Sequence, residues 1–404
     1  MRLAYGGEED ESSDAVGLPS PAERETGFEE ESLIIAAAHK VAEETLKPNA
    51  QISDLAEGPR IENFRALAQA GLLGIAIPKK WGGLDVSGPT QREITEILAS
   101  ACGVTTFIQA QHHGPSRMIA NCPNETLKQR LLPELATGKM MCAVSFAHLR
   151  RPGPPVLKAE PVSRGYRITG VAPWVTGWGL MNQVVFGATL PDEKFVYLWV
   201  PADRKLFEDL FEGITPPERD WGRMSPSDPI RLCVMNASAT VELNCQRLFV
   251  PDIHCLHFSD REAMKRNDRN GVLGAAVMPI GCAAGSIQLL SELSEKRNIP
   301  AIRRAYNRLL EEWKTVRDQV HHWINDKHSV EDAIKLRAQV IQLAVRCAHA
   351  ACAASSGSAN LLSHPAQRLY REAMFYTIQA QTQEVMDATL KFLEAKTEED
   401  KKEI

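Results

Sequence analysis

Apolar residues recur at helical spacing through the first third of the chain. The first predicted helix carries its apolar face at Leu33, Ile34, Ala37, Val41 and Leu46. Side chains three or four positions apart share one side of a helix, so this spacing favours an amphipathic helix over a strand. Pro48 is expected to end it, because proline lacks the backbone N–H and clashes with the preceding turn.

Three further helices are predicted before the pattern changes. The second carries Phe64 on its apolar face and ends near Gly71. Ser87 precedes the third, where its hydroxyl can accept a hydrogen bond from a free backbone N–H. Asn124 can cap the fourth in the same way, and that helix is expected to end near Gly138.

The apolar period changes from helical to two near residue 139 and returns to helical near residue 268. Alternating apolar residues between these points predict strands, among them 141–146, 166–168, 183–187, 196–200 and 238–249. We therefore divide the chain into an acidic, disordered leader (1–27), a helical domain (28–138), a middle β-domain (139–267) and a second helical domain (268–404).

Composition narrows the class of protein. The chain has 404 residues, of which 44% are hydrophobic and 24% charged, enough to build large cores. Its net charge of −5 gives no electrostatic reason to expect a nucleic acid partner. The sequence shows neither a secretory signal nor a membrane-spanning run, and nine scattered cysteines without a C-x-x-C pair fit reduced thiols. We expect a cytoplasmic protein without a metal site.

Three segments together resemble one flavoprotein superfamily. Residues 165–178 read GYRITGVAPWVTGW, residues 71–83 read GLLGIAIPKKWGG, and residues 241–256 read VELNCQRLFVPDIHCL. Their sequence and order resemble the acyl-CoA dehydrogenase superfamily. The resemblance implies an α+β fold with an N-terminal α-helical domain, a middle β-barrel-like domain and a C-terminal four-helix bundle.

The resemblance implies that FAD is the cofactor and assigns residues to its ring. Trp174 matches the Trp that packs beside the flavin, and Thr176 matches the Thr that hydrogen-bonds the edge carrying hydride. Ser145 matches a hydroxyl residue of the strand that faces the ring, and the backbone of Val144 lies next to it in the sequence. These residue types suit a flat apolar slot edged with hydrogen-bond donors.

Three more positions are implied to contact the cofactor. Arg297 matches an arginine that reaches the pyrophosphate of a neighbouring subunit, a task that suits its forked donors. Gly357 falls in a partial match to a glycine-rich loop that touches the same neighbour, and Thr382 falls in the C-terminal signature. A cofactor shared in this way implies a homodimer or homotetramer.

The residues that act on the substrate depart from the family pattern. The family signature R-D-A, four residues, then I-Y-E-G-T aligns without a gap from Arg371, which puts Ala380 at the position of the catalytic Glu. Alternative positions for a base and a substrate-binding Arg fall at Ala275 and Ala276. The family's G-S-D loop corresponds to RRPGPP at 150–155. Alanine cannot accept a proton, so the catalytic residues stay unknown.

Three functions remain open from the sequence. The first is a FAD-dependent oxidoreductase that acts on a small molecule or an acyl thioester with altered chemistry and passes electrons to a separate acceptor. The second is a flavin-dependent monooxygenase or oxidase of the same fold, served by a flavin reductase. Residues 356–373, SGSANLLSHPAQRLYREA, resemble the monooxygenase pattern somewhat more closely than the dehydrogenase pattern. The third is a non-catalytic flavin-binding or scaffold protein.

Overall fold

The computed structural model describes residues 21–202, 216–325 and 328–394. Residues 1–20 of the expected leader lie outside this part of the chain, and its last residues belong to a helix that begins at Pro21. The N-terminal helices are α1 (Pro21–Val41), a π-helical turn (Ala42–Leu46), α2 (Lys47–Leu55), α3 (Ile61–Gln69), α4 (Gly88–Ala101), α5 (Gly103–Asn121) and α6 (Glu125–Thr137).

The prediction that the first helix ends at Pro48 is wrong. Helical backbone runs without a break from Pro21 to Leu55, and Pro48 lies in the first turn of α2. In the π-helical turn directly before it, the Lys47 N–H donates to the Ala42 carbonyl oxygen, and this change of hydrogen-bond register lets the backbone stay helical at a residue that has no N–H to donate.

The other predicted boundaries of this region are confirmed. The Ser87 hydroxyl accepts a hydrogen bond from the N–H of Thr90 at 3.4 Å, and the Asn124 side chain accepts one from the N–H of Leu127 at 3.0 Å. Gly138 follows α6 with φ of +74°, a left-handed conformation that glycine adopts at little cost.

The middle of the chain forms one eight-stranded sheet. The strands are β1 (Cys142–Ser145), β2 (Leu157–Val162), β3 (Gly165–Val175), β4 (Gln183–Thr189), β5 (Phe195–Pro201), β6 (Arg223–Pro226), β7 (Val241–Pro251) and β8 (Cys255–Ser259). Their order in the sheet is β6-β7-β3-β2-β4-β5-β8, and β1 pairs parallel with β4 outside this path. The long strands β3 and β7 pair antiparallel, with a register shift between Ala172 and Val175.

The chain returns to helix after the sheet, as the change of period predicts. Pro300 and Pro365 begin helices, and Pro279 lies in a first turn. The helices are α7 (Arg261–Asn270), α8 (Val277–Arg297), α9 (Pro300–Asn325), α10 (Val330–Ser355), α11 (Pro365–Ile378) and α12 (Gln383–Glu394).

Small residues let α8 pack closely against α4 and join the two helical regions. A Cβ on Gly281 would lie 2.5 Å from the Glu96 carbonyl oxygen, and one on Gly285 would lie 2.4 Å from the Ser100 carbonyl oxygen. Both distances are too short for a side chain, so glycine is needed at each position. Residues 272–297 are apolar and long enough to cross a membrane, but 78% of the most apolar stretch is buried inside the protein. This segment is a core helix here.

Candidate functional site

Trp174 is an exposed aromatic residue on a strained part of β3. Its φ is +59°, a region that side chains other than glycine rarely adopt, and it lies within the register shift between β3 and β7. The bulge turns the indole outward, so 45% of the residue is exposed although its neighbours Pro173 and Val175 are buried. Strained backbone that presents a large apolar ring is typical of ligand-binding positions.

Strand β1 lies against this part of β3. The hydroxyl of Ser145 donates a hydrogen bond to the Pro173 carbonyl oxygen at 2.6 Å, immediately before Trp174. Val144 is half-buried, and α5 covers the strand at Gly114, where a Cβ would lie 3.8 Å from the Val144 side chain. The structure therefore brings Ser145 into contact with the residue before Trp174, and Val144 is its neighbour on the same strand.

Thr176 completes the same cluster on the other side of the tryptophan. Its hydroxyl oxygen lies 3.2 Å from that of Thr240, which lies 2.8 Å from that of Ser238. The N–H of Gly177 donates to the Ser238 carbonyl oxygen at 2.7 Å, which fixes the turn after β3. We call the group of four predicted residues at this end of the sheet the ring-side cluster: Val144, Ser145, Trp174 and Thr176.

Arg297 and Gly357 come together at a second place. The guanidinium of Arg297, at the end of α8, donates to the Ala354 carbonyl oxygen near the end of α10 at 2.5 Å. Gly357 follows in a 3₁₀ turn entered through Ser356 with φ of +58°. Both predicted residues are exposed, and nothing lies within 4 Å of the place where a Gly357 Cβ would stand. We call them the Arg297 patch.

Thr382 lies at a third place, as the cap of α12. Its hydroxyl oxygen accepts a hydrogen bond from the N–H of Val385 at 3.3 Å. This contact gives the side chain a structural task at the start of the last helix. The three groups lie on different elements of the fold.

The residues around the expected base form a turn that we call the Ala380 turn, residues 379–382. Ala380 is exposed and has φ of +50°, a costly conformation for a residue with a Cβ. Ala275 is half-buried, and Ala276 is fully buried in a 3₁₀ turn before α8. None of these three positions carries a group that can accept a proton.

Arg337 of α10 is the residue that the sequence interpretation missed. Its guanidinium donates one hydrogen bond to the Ala275 carbonyl oxygen and a second, at 3.3 Å, to the carbonyl oxygen of Gln379. Only 1% of the residue is exposed, and its Nε has no hydrogen-bond partner in the part of the chain that the structure describes. The sequence did indicate that this arginine is buried, because Arg337 lies at helical spacing between the buried residues Ile334 and Ile341.

Burial lowers the pKa of Arg337 to about 9. That value is still above neutral pH, so the guanidinium keeps its charge. A buried charge is normally paired with an opposite charge. Here its hydrogen-bond partners within the described chain are backbone carbonyls, at the two segments that carry the candidate base positions Ala380 and Ala275.

The nearby carboxylates Glu372 and Glu384 are paired elsewhere, and the nearby phenol of Tyr376 is buried with no hydrogen-bond partner among the described residues. Glu372 is buried, accepts a hydrogen bond from Arg368 at 2.7 Å and accepts another from the N–H of Gly103 at 3.3 Å. Burial raises the pKa of Glu372 and raises that of the fully buried Tyr376 well above its usual range. Glu384, on α12, pairs with Arg269 at 3.5 Å.

The loop at 150–155, which corresponds to the family's G-S-D segment, is tied to α7. Arg150 forms a two-pronged ion pair with Asp268 of α7, with donor–acceptor distances of 2.7 and 2.6 Å. The residues after it, 151–156, are exposed. The loop therefore carries a cation that is already neutralised by this chain.

The family model "Acyl-CoA dehydrogenase, N-terminal domain" matches residues 28–139. A short-chain specific acyl-CoA dehydrogenase of Clostridium acetobutylicum is 25% identical over 292 residues, which are 70% of this chain and 72% of that protein. The chain is thus similar to members of the acyl-CoA dehydrogenase superfamily, through the family model over residues 28–139 and through this relative over 70% of its length.

Solved structures of this superfamily have the same fold. A glutaryl-CoA dehydrogenase from Mycobacterium smegmatis in complex with FADH2 matches with a TM-score of 0.74 at 16% identity, covering 92% of this chain and 97% of that one. The HsaA monooxygenase from M. tuberculosis matches with a TM-score of 0.72, also at 16% identity, covering 90% and 96%. At this identity the likeness shows the fold alone, and the fold is shared by dehydrogenases and monooxygenases.

Proposed function

We propose that this chain is an FAD-binding oxidoreductase whose chemistry differs from α,β-dehydrogenation of a saturated acyl-CoA. Its substrate is a small molecule or an acyl thioester, and a separate protein accepts the electrons. The observation that carries the proposal is the contrast between the ring-side cluster, which offers an exposed indole beside ordered hydroxyls, and the Ala380 turn, which lacks a proton acceptor at the base position.

The ring-side cluster fits a flavin. The exposed Trp174 ring offers a flat apolar face, and the Thr176 hydroxyl and nearby backbone N–H groups offer donors to the polar edge. The two-electron chemistry belongs to the flavin when it is bound, and this part of the protein orients the ring and shields one side. Ser145 supports it indirectly, since its hydroxyl fixes Pro173.

The Arg297 patch fits a phosphate group from outside this protomer. Arg297 and Gly357 are exposed, close to each other and open to solvent. An arginine beside a glycine turn can donate to phosphate oxygens through both its guanidinium and the backbone. We infer that this patch holds the pyrophosphate of a partner's FAD across a two-fold interface, in a dimer or a dimer of dimers.

The substrate side does not support removal of an α-proton. Such a step needs a base within hydrogen-bond reach of the substrate. Ala380 and Ala275 cannot serve, and Glu372 is held by Arg368. General-base help contributes about 10²–10⁴-fold, so its loss leaves that reaction too slow to be useful.

The experiment is purification of the full chain, followed by release of bound flavin and anaerobic addition of electron donors. We expect close to one FAD per chain, little bleaching by saturated acyl-CoA, and reduction by a donor from a broader panel of acyl thioesters and small molecules. NADH consumption with an added flavin reductase, dependent on substrate and oxygen, would instead assign the chain to the monooxygenases. A protein that binds no FAD, even after reconstitution, would contradict the proposal and favour a scaffold.

A further inference from the structure

The Ala380 turn is held by a buried cation in the part of the fold where related enzymes are expected to carry a carboxylate. Arg337 reaches from α10 to two carbonyls, one before α8 and one at the end of α11. These are the backbones of Ala275 and Gln379, so one guanidinium contacts both candidate base segments. Arg337 therefore both fixes the backbone of these two segments and places a positive charge beside them.

Among the residues that the structure describes, no carboxylate pairs with this charge. Both partners of Arg337 are neutral carbonyl oxygens, and its Nε is buried without a partner. The charges on the adjacent α12 and α7, Glu384 and Arg269, pair with each other at 3.5 Å. Backbone carbonyls at the end of α11 carry a partial negative charge, which offsets part of the cost of burial but does not cancel a full positive charge.

We propose that Arg337 is a positioning residue that fixes the Ala380 turn and gives it a positive potential, so that the turn favours negatively charged ligand atoms and disfavours a carboxylate acting as a base. The ligand chemistry implied is a carboxylate or an oxyanion on the acyl group or small molecule that enters the site. This inference rests on the proposed function for its biological meaning, but the potential itself can be measured without FAD or substrate.

A thiol placed at residue 380 reports the potential directly. Ala380 is exposed, so Ala380→Cys is open to an alkylating reagent, and the pH dependence of alkylation gives the pKa of the thiol. The exposed native Cys233 is replaced by Ser to lower the background. Leu361→Cys, at a site 58% exposed in a loop, is the matched reference.

The direction of the pKa shift of a thiol at residue 380 distinguishes the effect of the helix end from that of the Arg337 guanidinium. The carboxyl end of α11 alone would raise the pKa of a following thiol, because the helix end is negative. A nearby guanidinium lowers it, and thiols beside arginine reach about 3.5–7.5 compared with about 8.5 for a free thiol. We expect the thiol of the Ala380→Cys variant to have a pKa at least about one unit below that of the Leu361→Cys thiol, in line with such shifts.

Two second-site variants separate charge from structure. Arg337→Met should bring the thiol pKa up to or above the reference, and Arg337→Lys should retain most of the depression. If Arg337→Met does not fold, the proposal is tested by the thiol pKa values at residues 380 and 361. These are compared in the protein that keeps Arg337 and in the Arg337→Lys variant. Equal pKa values at residues 380 and 361, or a depression that persists in a folded Met variant, would overturn the proposal. Failure to bind FAD would leave this measurement unaffected and would count only against the proposed function.

Discussion

The ring-side cluster and the Ala380 turn differ in how they are held and in what they present. The cluster is built on two contacting strands, fixed by short hydrogen bonds such as that from Ser145 to Pro173, and it presents an indole. The turn follows the last residue of a helix, is fixed by a cation from α10, and presents a methyl group. In the proposed function the cluster holds the flavin, whereas the turn has no group at residue 380 that could remove a proton.

In the proposed function, this fold keeps its cofactor chemistry while its substrate chemistry changes. A rigid sheet preserves the geometry needed for a ring, because neighbouring strands fix each side chain. A turn between helices tolerates substitution more easily. The largest expected effects of mutation therefore lie in the buried supports, and the smaller ones lie at the exposed cofactor contacts.

The largest effect is expected for Glu372, which would be the first alternative base. Glu372→Gln should lower the free energy of unfolding by about 3–5 kcal/mol, because it leaves the buried Arg368 without its counter-charge. The flavin absorbance of the folded fraction should be unchanged. Chemical denaturation measures the loss, and Glu62→Gln, at an exposed pair with Arg60, is the control with little effect. Loss of substrate-driven flavin reduction without loss of stability would instead make Glu372 a functional base.

A smaller effect is expected for Trp174. Trp174→Ala should weaken FAD binding by about 1–3 kcal/mol, the usual range for stacking on an aromatic side chain, which is roughly 5- to 150-fold in Kd. The melting temperature of the apoprotein should hardly change, since the indole is half exposed. Titration of apoprotein with FAD measures the affinity, and Trp174→Phe should retain most of it. Equal affinity in the Ala variant would remove Trp174 from the site.

The smallest effect is expected for Arg297. Arg297→Ala should weaken FAD retention by about 1.5 kcal/mol, near tenfold, the low end of the contribution of a charge-assisted hydrogen bond. Arg303→Ala, an exposed arginine on the neighbouring helix α9, should leave retention unchanged. Gel filtration and light scattering establish the oligomer in parallel. A monomer that retains all its FAD would contradict a cofactor shared between subunits.

Local signals in the sequence predicted much of the fold. Ser87, Asn124 and Gly138 specify helix ends through contacts with their own neighbours, and the structure has them where the sequence put them. The prediction that the first helix ends at Pro48 failed because the π-helical turn before it cannot be predicted from residue types. Helix ends follow from local hydrogen bonds, whereas register changes inside a helix depend on packing.

The candidate site was predictable only in part. The order of residues around Trp174 pointed to one end of the sheet, but its left-handed backbone and its exposure depend on pairing with β7. Arg337 contacts Gln379 across 42 positions of sequence, and no local pattern reports such a contact. Ala380 could be aligned to the base position from the sequence, but the cation that shapes its turn could not.

Anaerobic stopped-flow mixing of the FAD-loaded protein with butyryl-CoA tests the central claim most directly. The claim is that the flavin side is retained and the proton-accepting side is not. The wild type should show no useful bleaching of the flavin band, and Ala380→Gln should behave in the same way. Ala380→Glu should bleach slowly and fall short of the full ~10²–10⁴-fold that a general base supplies, because the substrate-binding Arg and the G-S-D loop are still missing. Fast bleaching by the wild type would contradict the account and show that another residue of this chain serves as the base.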